Sequence, residues 1–98
     1  MVFWNKVWSQ HERAVECGVF AEWVNPDEIF ERDKWRCRRC GCKTPPRAMG
    51  TGRENMPTLD HIIPMGLGGP HTERNTQCLC YKCNLEKGGQ YEGQLAFI

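Results

Sequence analysis

The sequence has no uninterrupted apolar stretch approaching the ~20 residues of a membrane span. Its opening, MVFWNKVWSQHER, has no apolar core of signal-peptide length. Both absences favour a reducing, cytoplasmic setting, where thiols hold metal rather than pair. An even cysteine count is missing too. The cysteines are Cys17, Cys37, Cys40, Cys42, Cys78, Cys80 and Cys83, an odd number that suits a disulfide framework poorly. With no internal repeat, low-complexity tract or obvious linker, residues 1–98 read as one domain. A chain this short buries only a modest core and needs a staple; a metal fits these thiols best.

A net excess of one charge is also lacking, since the formal charge is only +1. The distribution is uneven. Residues 32–53 carry eight bases (Arg32, Lys34, Arg36, Arg38, Arg39, Lys43, Arg47 and Arg53) against the single acid Asp33, while both flanks are acidic. A local basic block is the electrostatic footprint of a phosphate-binding surface. Its bland alternative is a solvated loop offsetting metal-bound thiolates.

What is present begins with an apolar stripe over residues 3–24: Phe3, Trp4, Val7, Trp8, Ala14, Val15, Phe20 and Trp23 recur at mostly helical spacing. The pattern predicts an amphipathic helix, weakened near Gly18, whose commonest role is to cover a small core and whose alternative role is to meet a partner. Asn25-Pro26-Asp27-Glu28 is a helix start, with Asn as cap, Pro at the first position and acids against the positive dipole end. That second helix should run to about Lys34. WRCRRCGC at 35–42 reads as a knuckle turning on Gly41, and the Pro- and Gly-rich residues 43–57 as a loop. A strand over Thr58–Ile63 is closed by Pro64, a glycine-rich loop covers Met65–Arg74, a second strand Thr76–Leu79, and a helix Cys83–Lys87 stops at Gly88-Gly89.

Cys37-x-x-Cys40 and Cys80-x-x-Cys83 are two CxxC pairs separated by 39 residues. Together they supply the four soft ligands of a tetrahedral structural zinc. A redox CxxC expects a βαβ setting and leaves the second pair unexplained. Cys42 and Cys78 are spares by their poorer spacing, and Cys17 reads as a small buried apolar residue. A closed four-thiolate site has no open position for substrate, so chemistry falls to other residues.

Those residues lie between the pairs. Asp60-His61 precede a proline and three glycines, Asn75 stands before the second strand, and Asn84 follows the last cysteine. The stretch LDHIIPMGLGGPHTERNTQCLCYKCNLEKGG, with the first CxxC ahead of it, resembles the HNH nuclease family over roughly residues 30–89. The resemblance implies an α+β fold, a small zinc-stapled ββα-metal finger with N-terminal helices. Residues 1–35 would be a helical N-terminal extension, 36–89 the zinc-bound core and 90–98 a C-terminal tail. It further implies a DNA phosphodiester hydrolase that leaves 5′-phosphate and 3′-hydroxyl ends. His61 would be the general base, Asp60 a ligand of a catalytic divalent ion, Asn75 the residue that ties down the loop and orients the histidine, and Asn84 the second ligand. Many members have histidine at that last position; asparagine, a hard oxygen donor, shifts the preference toward Mg²⁺ or Mn²⁺, without excluding other divalent ions.

Elementary chemistry gives those roles a reason. In-line hydrolysis needs a base beside the attacking water and a cation beside the departing oxygen. Neighbours in a strand point to opposite faces, so Asp60 and His61 can divide the two tasks. An imidazole has an ordinary pKa of about 6.5 and is available near pH 7 to take a proton. A plainer reading keeps Asp60-His61 as a strand-end hydrogen-bond pair, or His61 as a zinc ligand. Phosphate contacts are expected from Arg36, Arg38, Arg39, Lys43, His71, Arg74 and Lys87, the last of which could reach the chain's own backbone instead. Small free-standing proteins of this type resemble phage and mobile-element enzymes; a homodimer or phage packaging proteins are the partners this adds to DNA. The competing class is a catalytically silent zinc module that binds nucleic acid or a protein.

Overall fold

The computed structural model of the chain describes residue 18, residues 20–88 and residue 90. In chain order the elements are α1 (Pro26–Arg32), β1 (Pro57–His61), β2 (Thr76–Cys80) and α2 (Tyr81–Lys87), with 3-10 turns at Pro46–Ala48 and Met65–Leu67. β1 and β2 pair antiparallel, with Thr58 opposite Leu79, Asp60 opposite Gln77 and His61 opposite Thr76. The class is α+β, and strand, strand and helix follow the knuckle in the expected order. None of the helices among the described residues is long and apolar enough to cross a membrane.

Local chemistry starts α1 as expected. Asn25 caps it, its side chain accepting the Asp27 N–H at 3.0 Å, and Pro26 opens the first turn. It stops short of Lys34 because Lys34 and Trp35 take left-handed backbone, at φ 59° and 53°. The reversal lets the Trp35 N–H donate to the Phe30 carbonyl at 2.8 Å and lays the two rings 5.4 Å apart. Aromatic burial offsets the strained backbone.

The helix expected over residues 3–24 is absent from its described part, and residues 3–17 lie outside the described residues. Gly18 adopts φ 71°, off any helical path, and residues 20–24 are non-helical, with a single bridge at Ala21. Ala21 bridges His71: the His71 N–H donates to the Phe20 carbonyl at 2.8 Å and the Glu22 N–H to the His71 carbonyl at 2.9 Å. Backbone pairing with the loop outweighs the side-chain periodicity here. Phe20 and Trp23 consequently stand largely exposed.

A two-stranded sheet has two faces to bury, and each is covered by a different element. On one, Leu59 and Cys78 pack with Val24, Ile29 and Phe30. On the other, Leu79 packs with Cys37, Cys80 and Cys83 under α2.

A buried carboxylate locks α1 to this sheet. Asp33 receives Arg32 through two bonds (2.9 and 3.0 Å), Arg38 at 3.1 Å and the Cys78 N–H at 2.9 Å. Burial alone would raise its pKa, but the bonds from Arg32 and Cys78 and the charges of Arg32 and Arg38 outweigh it and hold the carboxyl below its ordinary value. A depressed folded pKa means stability that is present above the unfolded value of about 3.9 and lost as pH falls through the folded one. Asp33→Asn is therefore expected to cost about 2–3 kcal/mol at pH 7 in urea denaturation of the zinc-loaded protein. The gap between variant and wild type should be nearly unchanged down to about pH 4 and narrow progressively below it, as pH falls through the folded pKa; a gap that does not narrow below about pH 4 contradicts it.

Candidate functional site

The first site is built by two turns that aim sulfur inward. Arg39 N–H and Cys40 N–H both donate to the Cys37 sulfur at 3.4 Å, and the Cys83 N–H donates to the Cys80 sulfur at 3.4 Å, where it also caps α2. Gly41 turns the first knuckle at φ 83°. The sulfurs of Cys37, Cys40, Cys80 and Cys83 all lie within 4.8 Å of one another, with Cys40 and Cys80 at 3.9 Å. Zn–S bonds of ~2.3 Å in a tetrahedron put sulfurs about 3.8 Å apart, so the spacing fits.

The thiol chemistry fits too. Cys40 is pulled down to about 6, chiefly by the N–H of Cys42, whereas burial pushes Cys80 up to about 12 and Cys83 higher still. Four crowded sulfurs ionise together only around a cation. The other two cysteines differ in how near they come to the cluster. Cys78 lies in the α1 core, its sulfur 3.3 Å from the Thr44 hydroxyl, and burial raises it to about 11. Cys42 is exposed beside the cluster.

The second site is the end of β1. Strand alternation sends Thr58 and Asp60 toward α2, and Leu59 and His61 toward the opposite face. Asp60 is buried; its two oxygens accept from Gln77 Nε2 at 3.0 Å and Lys87 Nζ at 3.3 Å. Asn84 does not take that place: its Nδ2 donates to the Thr58 hydroxyl at 2.8 Å. The helix runs along the strand, pairing Asn84 with Thr58 and Lys87 with Asp60. Three helical residues rise ~4.5 Å and two strand residues ~6.6 Å, and the long lysine arm closes the difference. Lys87, expected at phosphate, is buried instead, its Nζ also donating to the His61 carbonyl at 3.0 Å.

On the other face, His61 Nε2 lies 2.9 Å from His71 Nδ1, and both rings are buried. His71, expected as a solvated phosphate contact, is drawn inward because its backbone pairs with residues 20–22. Asn75 closes the intervening loop. Its Oδ1 accepts the Ile63 N–H at 2.9 Å, while Nδ2 donates to the carbonyls of Ile63 at 2.9 Å and Pro70 at 2.8 Å. It acts on the backbone that follows His61, where the Ile62 N–H also donates to the Asn75 carbonyl at 2.8 Å.

Gly69 is what allows this closure. A Cβ there would drive into the Ile63 carbonyl and lie 2.9 Å from Asn75 Nδ2. The obstacle is backbone and has no rotamer to escape into. Gly69→Ala is expected to cost about 2–4 kcal/mol, read by chemical denaturation of the zinc-loaded protein. Gly66→Ala, where a Cβ meets nothing within 4 Å, is the control and should be nearly silent.

Residues 37–90, more than half of the chain, match the family model described as HNH endonuclease. The chain belongs to the HNH endonuclease family. No curated protein matches it. Family membership makes nuclease activity the coarse expectation, carried here by the zinc-type cysteine cluster and the β1, loop, β2, α2 unit just described.

A Mg²⁺-type ion asks for one or two protein oxygens and finds the rest in water and phosphate. Asp60 offers one carboxylate, whose two oxygens accept from Gln77 and Lys87. Asn84 is bonded through its nitrogen, which keeps its Oδ1 for a ligand. Asp60 and Asn84 are the oxygen donors that such an ion would draw on.

The basic block is partly spent on the fold. Arg38 holds Asp33, Arg39 pairs with Glu86 at 2.7 Å and Arg36 donates to the Gly41 carbonyl at 3.3 Å. Lys43, opposite Arg36, and Arg74 on the loop are exposed. Asp33 and Gln77 escaped sequence reasoning. Gln77 becomes visible once Asp60 is known to face it across the strands; Asp33 has Arg32 and Arg38 nearby in sequence, but its burial and its bond from the Cys78 N–H depend on β2 packing against it.

Proposed function

We propose that this protein is a metal-dependent DNA endonuclease, organised as one domain over residues 1–98 with its catalytic core at 36–89. What carries the reading is the placement of Asp60 and His61 on opposite faces of one strand end, each buried among hydrogen-bonding partners. His61 acts as the general base toward the water that attacks phosphorus, and Asn75 fixes the loop that frames it. Asp60 and Asn84 would hold Mg²⁺ or Mn²⁺, which would supply positive charge at the departing oxygen. Gln77 and Lys87 orient the Asp60 carboxylate, and Lys87 also pins the main chain at His61.

DNA is the substrate because the family is one of endonucleases and because exposed bases remain after the internal pairings are taken out, Lys34, Lys43, Arg47, Arg53 and Arg74 among them. The zinc, held by Cys37, Cys40, Cys80 and Cys83, maintains the fold. Incubating zinc-loaded protein with supercoiled plasmid in Mg²⁺, Mn²⁺ or EDTA tests the reading. Nicked or linear plasmid with a divalent ion and intact plasmid with EDTA is the expected result. Plasmid that is shifted on a gel yet intact under every metal would make the protein a silent binding module.

A further inference from the structure

Resting on the reading of His61 as the base, we propose that His71 is its positioning residue and that the segment 20–22, outside the family match, holds His71 in place. Two imidazole nitrogens 2.9 Å apart, His61 Nε2 and His71 Nδ1, cannot both carry a proton in a neutral pair, and cannot both lack one and still bond. The shared edge holds one proton, so the tautomer of one ring dictates that of the other. A base must present an unprotonated nitrogen to water every time it turns over. A lone neutral imidazole interconverts between two tautomers; paired with His71, His61 keeps Nδ1 unprotonated for water when its Nε2–H is the donor, and the same bond fixes the ring's rotation.

The partner must itself be immobile to do this. His71 is 1% exposed, and its ring centroid lies 5.1 Å from that of His61. Its main chain is zipped on both sides, through its N–H to the Phe20 carbonyl at 2.8 Å and through its carbonyl to the Glu22 N–H at 2.9 Å. Glu22 adds a third tie, its carboxylate accepting the Glu73 N–H at 2.9 Å. Asn75 independently fixes the same loop through Pro70, next to His71. The base is thus braced from beyond its own finger, by a chain segment that comes before the first zinc ligand.

The test is ¹⁵N NMR of the histidine rings in the full, zinc-loaded chain, with plasmid cleavage measured alongside. In wild type, the two ring nitrogens of His61 should show the separate shifts of one tautomer above the ring's titration. His71→Phe keeps the ring volume but not the nitrogen; it should collapse those shifts toward an average and lower kcat about 10- to 100-fold with KM changed less than about threefold. His71→Asn, which restores a polar atom near the Nδ1 position, should recover most of both. Averaged shifts in the wild-type chain would overturn the proposal without any variant, as would unchanged shifts and kcat in a folded His71→Phe. If the wild-type protein cuts no DNA but His61 shows one tautomer that His71→Phe abolishes, the nuclease reading fails and the pairing stands.

Discussion

Replacing Cys83 with serine is expected to leave the chain without cooperative tertiary structure at neutral pH, with zinc content falling from one per chain to near zero. The reason lies in how little else holds these residues together. The cysteine cluster and Leu79 form one of only two buried apolar groups among the described residues, and Cys80 also caps α2. Binding of a structural zinc contributes on the order of 10–16 kcal/mol at pH 7, as much as the whole stability of an ordinary domain. A hydroxyl is a far poorer zinc ligand than a thiolate, and losing one of four turns a closed site into an open one. Near-UV circular dichroism with a colorimetric zinc assay reads the outcome, and a chelator acting on wild type should reproduce it. Cys42→Ser and Cys78→Ser are the controls: both should keep one zinc per chain, since neither sulfur belongs to the cluster of four. A Cys83→Ser protein that keeps its zinc and its near-UV spectrum would remove the cluster from the account.

His61→Ala should abolish plasmid cleavage while leaving fold and zinc intact. General acid–base catalysis contributes about 10²–10⁴-fold, and the neighbouring ring on that face is His71, whose main chain stays tied to residues 20–22 when the bond to His61 is lost. The zinc lies with the other core cluster, so its occupancy should not change. Asp60→Ala should be comparably inactive for a different reason. It leaves Lys87, 2% exposed, with a buried charge and one remaining acceptor, so it should also lower stability by about 3–5 kcal/mol. Measuring cleavage and urea stability together separates the two: both lose activity, but His61→Ala, which breaks a neutral bond to the buried His71, should cost about 1–3 kcal/mol, and Asp60→Ala, which strands a buried charge, more. If both variants cut plasmid at the wild-type rate, neither residue is in the machinery.

Much of the molecule was legible in one dimension because its signals are local. Asn25-Pro26 carries a cap and a fixed φ within two residues, and each CxxC carries its own turn, so α1, the knuckles and the four-sulfur cluster follow from short stretches. The alternation of a strand is local too, and it places Asp60 and His61 on opposite faces before any packing is known. The resemblance in LDHIIPMGLGG rests on that same local spacing.

Tertiary structure decided everything that depends on which backbone meets which. The apolar stripe at residues 3–24 has helical spacing, yet its described end is non-helical because loop backbone offers residues 20–22 hydrogen bonds that periodicity cannot register. His71 and Lys87 look like solvated bases in a list of residues, and they are buried because a loop is drawn onto an N-terminal segment and a helix is laid along a strand. Asn84 is a local motif position, but whether its amide faces Thr58 or Asp60 depends on the offset between helical and strand rise. The sequence by itself determined the chemistry available, thiols for zinc and an acid beside an imidazole. Only the packed structure decided their partners, because side-chain pairing across 10 or more residues is set by burial and register, not by spacing along the chain.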